Sequence, residues 1–433
     1  MKARISRLTL AGLGLAETDD GARVEVEGAL PDEEIEGTPH EGRIAAPKIL
    51  APSPDRVRPP CPHARACGGC ALQHAGDDFV ARWKAGVIVR ALAAQGLELA
   101  GPSDAGPSDA DTPDAGLSDA DTRPRLRPIV TSAPGTRRRA TLAGRRTKSG
   151  VLVGFHARAS GTIVPVPECR LLDPALLATL PALGEMTTAG ASRKAEIAFA
   201  LSRTEAGVSV AATGGKPLDA GLRAALAGIA AQADLADLAW EGEPVARARP
   251  PLVRLGPALL PLPPGAFRQA TPEGEAALIA AVRTALGDAR HVADLFAGIG
   301  TFALPLATRA EVHAVEGAAP ALAALDAGWR ATPDLRRIST ETRDLFRRPL
   351  LPDELARFDA VVLDPPRAGA AAQAAELARP GGPRVLAYVS CNPVSFARDL
   401  RVLADGGWRL DWVQPVDQFR WSGHVELAAR LVR

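Results

Sequence analysis

The chain has 433 residues, of which 46% are hydrophobic, and its formal net charge is +1. This length is too great for one hydrophobic core, so we expect two or three domains. No apolar run reaches the roughly 20 residues that a membrane span needs. The near-neutral charge provides no whole-molecule attraction for a polyanion. Composition therefore argues against a membrane partner and requires any nucleic-acid site to be a local feature.

Residues 1–58 are predicted to form a small β-barrel. Apolar and polar residues alternate over residues 4–10, 22–26 and 43–49, with turn residues between them. Short strands at this spacing are typical of such barrels. The basic start resembles a short signal peptide, but the strand pattern and the few, clustered cysteines favour a cytoplasmic protein.

A cysteine cluster follows the predicted barrel. Cys61, Cys67 and Cys70 have the spacing C-x5-C-x2-C, and Cys169 occurs in the segment VPVPECRLL. Four thiolates can saturate a four-iron four-sulfur (4Fe-4S) cluster, each holding one iron. Zinc in a four-cysteine site is the alternative. A radical enzyme would leave one iron open, so the fourth cysteine favours a structural cluster.

Residues 59–260 are predicted to form a central α+β domain around this cysteine site. Within it, residues 101–122 repeat Pro, Ser, Asp, Ala and Gly and contain little to bury, which predicts a disordered insertion. Residues 137–166 have the pattern of β-hairpins. Their first half carries six cations that form either an RNA phosphate contact or a solvated surface: Arg137, Arg138, Arg139, Arg145, Arg146 and Lys148.

Residues 261–433 are predicted to form a Rossmann-like α/β domain. Apolar runs such as HVADLF, FDAVVLD and RVLAYVS alternate with helical segments. This alternation is typical of a doubly wound parallel sheet, in which ligands bind outside the carboxyl ends of the strands. We therefore expect the catalytic site in this domain.

A glycine turn after the first strand of this domain indicates a cofactor site. Gly298 and Gly300 stand in AGIG, where glycine allows the backbone to approach a ligand. The G-x-G-x-x-G fingerprint of dinucleotide enzymes is absent. Ordinary strand-end turns are the alternative. The whole set fits a cationic, adenosine-containing cofactor such as S-adenosylmethionine, because acidic residues end four consecutive strands: Asp294, Glu316, Asp344 and Asp364.

Cys391 is the candidate nucleophile, since it directly follows the fifth strand in YVSCNP. Carbon 5 of uracil accepts a methyl group only after a nucleophile has added at carbon 6. A base must then remove the proton from carbon 5. Glu426, at the start of the last strand, is the candidate base, and His424 is a second choice. A buried structural cysteine and a solvent-facing glutamate are the alternatives.

The motifs together resemble the RNA uridine-C5 methyltransferase family, and specifically its iron–sulfur-containing 23S rRNA branch. The resemblance rests on CPHARACGGCALQHA, GAFRQATPEGEAAL, DLFAGIGTFALPLA, LDPPRAGA, YVSCNPVSFARDL and HVE. Residues 1–58 also resemble the RNA-binding TRAM domain. The resemblance implies that Cys391 is the nucleophile and Glu426 the base, and that Phe267 and Gln269 lie near the target base. It further implies cofactor contacts from Gln269, Phe296, Thr301, Glu316, Asp344 and Asp364.

We therefore expect an enzyme that makes 5-methyluridine in structured RNA, with rRNA favoured over tRNA and no obligate protein partner evident. The target carbon is inaccessible in a stacked helix, so the uridine must lie in a loop or be flipped out. Arg367, beside the catalytic rim, is a further candidate for phosphate binding. An amino- or N-methyltransferase on the same fold and a non-catalytic RNA-binding assembly factor are the alternatives.

Overall fold

The computed structural model describes residues 1–18, 21–99, 123–192 and 195–433. The insertion predicted at 101–122 lies outside the described residues. Among the described helices, none is long and apolar enough to cross a membrane.

The N-terminal unit is a six-stranded sheet with the order β5-β3-β2-β1-β4-β6. Side chains alternate between the two faces of each strand, so Ile5, Val24 and Ile35 point to the same side and form a small hydrophobic core in this unit. The prediction of several short strands here is confirmed. The strands are β1 (Lys2–Leu8), β2 (Gly14–Glu17), β3 (Arg23–Val26), β4 (Glu34–Glu36), β5 (Arg43–Ile44) and β6 (Lys48–Ala51).

A connecting segment contributes helix α1 (Asp77–Ala93) and the short strands β7 (Arg125–Leu126) and β8 (Val130–Thr131). The central unit follows it as a seven-stranded sheet with the order β11-β10-β9-β12-β13-β14-β15. The predicted hairpin is present, because β9 pairs with β10 across a two-residue turn. The elements are β9 (Arg139–Thr147), β10 (Gly150–His156), β11 (Ile163–Pro165), α2 (Pro174–Ala178), α3 (Leu180–Gly190), β12 (Glu196–Thr204), β13 (Gly207–Thr213), α4 (Ala220–Gln232), β14 (Asp237–Trp240) and β15 (Glu243–Arg247).

A hairpin of β16 (Leu252–Leu255) and β17 (Ala258–Pro261) leads into the C-terminal unit. Helices cover both faces of its sheet and enclose two apolar cores. Its elements are α5 (Pro272–Leu286), β18 (His291–Leu295), α6 (Ala303–Leu306), β19 (Glu311–Glu316), α7 (Ala319–Ala331), β20 (Ile338–Thr342), α8 (Pro352–Leu355), β21 (Ala360–Leu363), α9 (Ala371–Leu377), β22 (Val385–Ser390), α10 (Pro393–Asp405), β23 (Arg409–Asp417) and β24 (Glu426–Val432).

The C-terminal sheet has the order β20-β19-β18-β21-β22-β24-β23-β7, with β8 also pairing with β23. Strands β18 to β22 are mutually parallel, as predicted, whereas β24 runs antiparallel to both β22 and β23. The sheet is therefore mixed rather than wholly parallel. The antiparallel return directs the first residue of β24 to the edge where the parallel strands end.

The connecting segment packs on the C-terminal unit, although it falls within the range 59–260 that we assigned to a central domain. Strands β7 and β8 pair with β23. Ile88 and Leu92 of α1 share a core with Phe396 and Leu400 of α10. Helix α1 begins shortly after the cysteine segment, so this packing ties that segment to the C-terminal sheet.

Candidate active site

One cavity of about 410 Å³ lies where the carboxyl end of β22 faces the central sheet and the cysteine segment. Cys391 and Glu426, the predicted nucleophile and base, both line it. All five cysteines of the chain border this cavity, because the wall opposite Cys391 carries Cys61, Cys67, Cys70 and Cys169.

Cys391 lies between the end of β22 and the start of α10. The turn is held by Asn392, whose side chain accepts a hydrogen bond from the Val394 amide at 3.1 Å. Burial, followed by the charges of Glu426 and Asp364, raises the pKa of the Cys391 thiol to about 11. The thiol is half-buried and faces the cavity rather than packed hydrocarbon. Ionisation of this thiol is therefore disfavoured unless a positive charge lies close to the sulfur.

Glu426 begins β24 and is 4% exposed, so it is not a solvent-facing strand residue. Burial and the charge of Asp364 raise its pKa to about 8, against the lowering effects of a hydrogen bond from Gln418 and of nearby Arg139 and Arg367. A carboxyl group with a pKa near the working pH can both accept and release a proton. His424, our second choice, lies exposed at the rim of the same cavity.

The glycine turn has the backbone that a ligand-binding loop requires. Gly298 and Gly300 have φ values of 55° and 93°, and Phe296 before them has a φ of 62°. A Cβ atom on Gly300 would lie 2.9 Å from the Leu325 side chain. Glu316 closes the turn by accepting a hydrogen bond from the Gly298 amide at 3.0 Å. Gly298 and Gly300 have left-handed backbone, which is strained for residues that carry a Cβ atom and therefore favours glycine.

The carboxylates at the strand ends occupy two different environments. Asp294 is fully buried and neither of its carboxylate oxygens makes a hydrogen bond of good geometry. Burial and the charges of Asp364 and Glu316 raise its pKa well above the ordinary value. Burial also raises the pKa of Asp364 to about 7. Asp344 instead stays exposed at the rim, where its carboxylate lies 3.6 Å from Arg347. The structure thus brings three predicted carboxylates together and leaves the fourth in solvent.

Asp294 was one of the four strand-end acids that fit a cationic cofactor, but the family resemblance did not include it among the cofactor contacts. A charged residue closing an otherwise apolar strand was the available signal. An enclosed, poorly hydrogen-bonded carboxylate beside two others is costly unless a cation joins it. The crevice therefore favours the binding of a positively charged group.

Gln269 and Thr301 are both buried, at 2% and 7% exposure. The side-chain carbonyl of Gln269 accepts a hydrogen bond from Nε2 of Gln418 at 2.5 Å. Phe267, two residues earlier, is 59% exposed, and the guanidinium of Arg139 lies 4.4 Å from its ring centroid. An exposed ring on the cavity wall provides a flat surface for stacking a base.

The six cations of the β9 hairpin do not form one surface. Arg138 is buried and forms an ion pair with Glu275 at 2.5 Å, so this residue of the predicted RNA contact is unavailable to phosphate. Arg145 pairs with Glu196 at 2.6 Å. Arg137 and Arg139 line the cavity. Arg138 points away from Arg137 and Arg139 because neighbouring side chains of extended backbone point to opposite faces.

The four cysteines opposite Cys391 share an electrostatic environment. The charges of Cys61 and Cys169 act together with burial to raise the pKa of Cys67. Its sulfur accepts a hydrogen bond from the Gly69 amide at 3.4 Å. The Leu171 and Leu172 amides interact similarly with Cys169. Within the described part of the chain, no three Cys, His, Asp or Glu side chains are arranged to hold a single metal ion.

Comparison with known proteins relates this architecture to enzymes that methylate RNA. A family model described as tRNA (Uracil-5-)-methyltransferase matches residues 265–433. An uncharacterized RNA methyltransferase of Brucella suis is 41% identical over 429 residues, covering 99% of this chain and 97% of the relative. The 23S rRNA (uracil(1939)-C(5))-methyltransferase RlmD of Halomonas elongata is 32% identical, covering 98% of this chain and 87% of the relative.

A solved structure shares the fold. The crystal structure of Pyrococcus abyssi tRNA (uracil-54, C5)-methyltransferase in complex with S-adenosyl-L-homocysteine aligns with a TM-score of 0.73 at 22% identity, covering 100% of this chain and 99% of that chain. At this identity the match establishes the α/β methyltransferase architecture alone. Together with the full-length relatives, it shows that the chain belongs to the RNA (uracil-5-)-methyltransferase family.

Proposed function

We propose that this protein transfers a methyl group from S-adenosylmethionine to carbon 5 of a uridine in 23S rRNA, through a covalent bond between Cys391 and the uracil. The observation that carries the proposal is the shared cavity of Cys391 and Glu426, next to the acidic crevice of β18, β19 and β21. A nucleophile and a base on one cavity are the two groups that this reaction requires.

S-adenosylmethionine fits the crevice by charge. Glu316 and Asp364 lie close enough to Asp294 for their charges to raise the pKa of its carboxyl group. A sulfonium and an ammonium group would relieve this repulsion. The residues proposed to hold the cofactor are Gln269, Phe296, Gly298, Gly300, Thr301, Glu316, Asp344 and Asp364, and we add Asp294 because its buried carboxyl group lies beside two of them. The cofactor supplies an electrophilic methyl group.

Cys391 and Glu426 then act at different atoms of the uracil ring. The Cys391 thiol loses its proton to solvent, and the thiolate adds to carbon 6. Carbon 5 thereby becomes electron-rich and takes the methyl group, whose bond to the sulfonium sulfur breaks with the electrons remaining on that sulfur. Glu426 accepts the proton from carbon 5, the electron pair of that bond forms the carbon 5–carbon 6 double bond, and the bond to Sγ breaks with its electrons returning to sulfur. The carboxylate of Glu426 leaves this step protonated, and the thiolate is regenerated.

Cations and an aromatic ring are placed to receive a flipped nucleotide. Arg137, Arg139 and Arg367 all line the cavity. Burial and the neighbouring arginines lower the pKa of Arg139 to about 10, which leaves it charged at neutral pH. These guanidinium groups can bind phosphate or uracil oxygens, while Phe267 stacks on the base.

We propose that Cys61, Cys67, Cys70 and Cys169 hold a 4Fe-4S cluster. They border one cavity, the charges of Cys61 and Cys169 act on the pKa of Cys67, and the Cys67 sulfur accepts a hydrogen bond from the Gly69 amide. Such bonds are typical around cluster thiolates. Four thiolates close the cluster, so its contribution here is to fold and hold the surrounding segment. The name of the Halomonas relative and this cysteine set favour 23S rRNA over tRNA.

Metal analysis tests the cluster. Protein reconstituted without oxygen with iron and sulfide is expected to hold about four irons and four sulfides per chain. Replacing any of the four cysteines by serine should lower that content, while Cys391→Ser should not. One zinc per chain after purification, with no cluster formed on reconstitution, would contradict the assignment.

The activity is tested by mapping 5-methyluridine in 23S rRNA and tRNA from a strain that lacks the gene, before and after complementation. We expect one uridine in 23S rRNA to lose its methyl group and regain it with the wild-type gene but not with Cys391→Ser. A missing methyl on a nitrogen would instead favour an N-methyltransferase. An unchanged methylation profile with altered ribosome assembly would favour a non-catalytic factor.

A further inference from the structure

Gln418 links the two sides of the site. It directly follows β23 and is 1% exposed. Its Nε2 donates a hydrogen bond to Oε1 of Gln269 at 2.5 Å, and its Oε1 accepts one from the Ala270 amide at 2.7 Å. Its side chain also lies close enough to Glu426 to lower the pKa of that carboxyl group, since Glu426 pairs with Val416 of the neighbouring strand β23. One amide group therefore contacts a proposed cofactor residue and the proposed base.

The direction of these hydrogen bonds is decided by what each atom can do. The Ala270 amide is a donor, so it occupies the carbonyl oxygen of Gln418. The amide nitrogen has two hydrogens and no acceptor capacity, so it donates one to Gln269 and has one for Glu426. A donated hydrogen bond stabilises the carboxylate form of Glu426 over the neutral acid.

Gln418 is held in place from two directions. The first turn of α5 packs against it so closely that a Cβ atom on Gly274 would lie 2.7 Å from Cβ of Gln418. The preceding residue, Asp417, is fixed by a buried ion pair with Lys84 at 2.6 Å. Its carboxylate also accepts the Phe419 amide at 3.0 Å. The side chain of Gln418 is thus held in one orientation.

We propose that Gln418 is a positioning residue that holds the Glu426 carboxylate toward the proton on carbon 5 of the methylated uracil. This inference rests on the function proposed above. Glu426 takes that proton, the freed electron pair forms the ring double bond, and the bond from carbon 6 to Sγ of Cys391 breaks toward sulfur. Gln418 neither touches the ring nor exchanges a proton.

The electrostatic setting explains why such a donor is needed. Asp364 opposes ionisation of Glu426, and Arg139 and Arg367 favour it. The Cys391 thiolate also repels the Glu426 carboxylate. Two anions must therefore coexist beside a third carboxyl group during the reaction. Removing the Gln418 donor shifts the balance toward the protonated, inactive form of Glu426.

The test uses Gln418→Met, which keeps the shape and removes the donor. Gln373→Met is the matched control, because Gln373 is also fully buried and uses both amide atoms on the backbone of Leu350, away from the cavity. Single-turnover formation of free methylated RNA, released from the covalent adduct, is measured across pH on an unmodified 23S rRNA transcript for wild type and both variants. A second transcript containing 5-fluorouridine traps the methylated adduct, since fluorine cannot leave as a proton.

We expect Gln418→Met to release free methylated RNA at least about tenfold more slowly than wild type at pH 7 and to recover as pH rises, with the midpoint of the release rate about one pH unit higher. Covalent protein–RNA adduct should accumulate on the uridine transcript. Trapping on the fluorinated transcript should keep its wild-type rate, because it ends before proton removal. Gln373→Met should behave as wild type in all of these measurements.

An unchanged pH profile, an equal loss in Gln373→Met, or slowed trapping on the fluorinated transcript would each overturn the role of Gln418. If Gln418→Met does not fold, Gln418→Glu keeps the acceptor for Ala270, removes the donor and should shift the profile in the same direction. Failure of the wild-type protein to trap the fluorinated transcript would instead contradict the proposed function itself.

Discussion

Lys84 Nζ lies 2.6 Å from Asp417 Oδ1, and both side chains are excluded from solvent, at 0% and 1% exposure. The same ammonium donates a hydrogen bond to the Phe419 carbonyl at 3.1 Å. This contact joins α1, which follows the cysteine segment, to the loop that leads to Glu426. Further links run in parallel, since the Ala71 and Leu72 amides both donate to the Trp421 carbonyl.

Lys84→Met is expected to destabilise the C-terminal unit by about 3–5 kcal/mol, because it leaves the Asp417 carboxylate buried without a partner. Urea unfolding followed by tryptophan fluorescence measures the change. Adding Asp417→Asn should recover part of the loss, since the two residues are coupled. Equal and additive losses from the two single substitutions would show that the ion pair does not act as a unit.

Asp294→Asn is expected to stabilise the ligand-free protein at pH 8 and to weaken cofactor binding. The pKa of Asp294 is raised in the folded state, so its contribution to stability is fully present below the unfolded pKa and is lost as pH rises toward the folded pKa. The asparagine side chain does not ionise, so the variant does not lose this stability as pH rises. Thermal unfolding between pH 5 and pH 8 and calorimetry with S-adenosylhomocysteine measure the two effects. Unchanged cofactor affinity would remove Asp294 from the site.

Asp364→Asn is expected to make Cys391 react faster with iodoacetamide at pH 8. The charge of Asp364 helps to raise the pKa of the thiol to about 11, so neutralising it lowers that pKa and increases the thiolate fraction. Peptide mapping by mass spectrometry isolates the rate at Cys391. Asp344→Asn is the control, because Asp344 is exposed and paired with Arg347. Equal rates in wild type and Asp364→Asn would contradict the electrostatic account.

Arg139→Ala and Arg146→Ala are expected to separate two roles of the β9 cations. Arg139 lines the cavity and lies over the Phe267 ring, so its loss should reduce turnover at least about tenfold. Arg146 does not line the cavity, and its loss should at most weaken RNA affinity and reduce the salt dependence by about one phosphate contact. Filter binding over a salt series and single-turnover rates provide the comparison.

The strands that carry the site were predictable because buried parallel strands have a simple signature. Runs such as AVVL of β21 are apolar on both faces. The motifs between them placed Cys391 and Gly298 at the correct edge of the sheet. The antiparallel β24 and the docking of α1, β7 and β8 on that sheet depend on contacts between residues far apart in sequence. No pattern within a short stretch of sequence predicts such contacts.

The same distinction applies to the site. Glu426 was proposed from its motif, and its burial explains a pKa that no sequence pattern predicts. Gln418 was missed because a glutamine after a strand usually indicates a surface position, and its partner Gln269 lies far away in the chain. Arg138 was misassigned because the cluster of arginines hides which side chains alternate inward to meet Glu275.

The central claim is a covalent bond between Cys391 and the uracil ring. The most direct measurement is tandem mass spectrometry of the complex trapped with S-adenosylmethionine and a 23S rRNA transcript containing 5-fluorouridine. We predict one nucleotide attached to the peptide that contains Cys391, bearing both the methyl group and fluorine. Attachment to another residue, or normal 5-methyluridine formation by Cys391→Ser on the uridine transcript, would contradict the account.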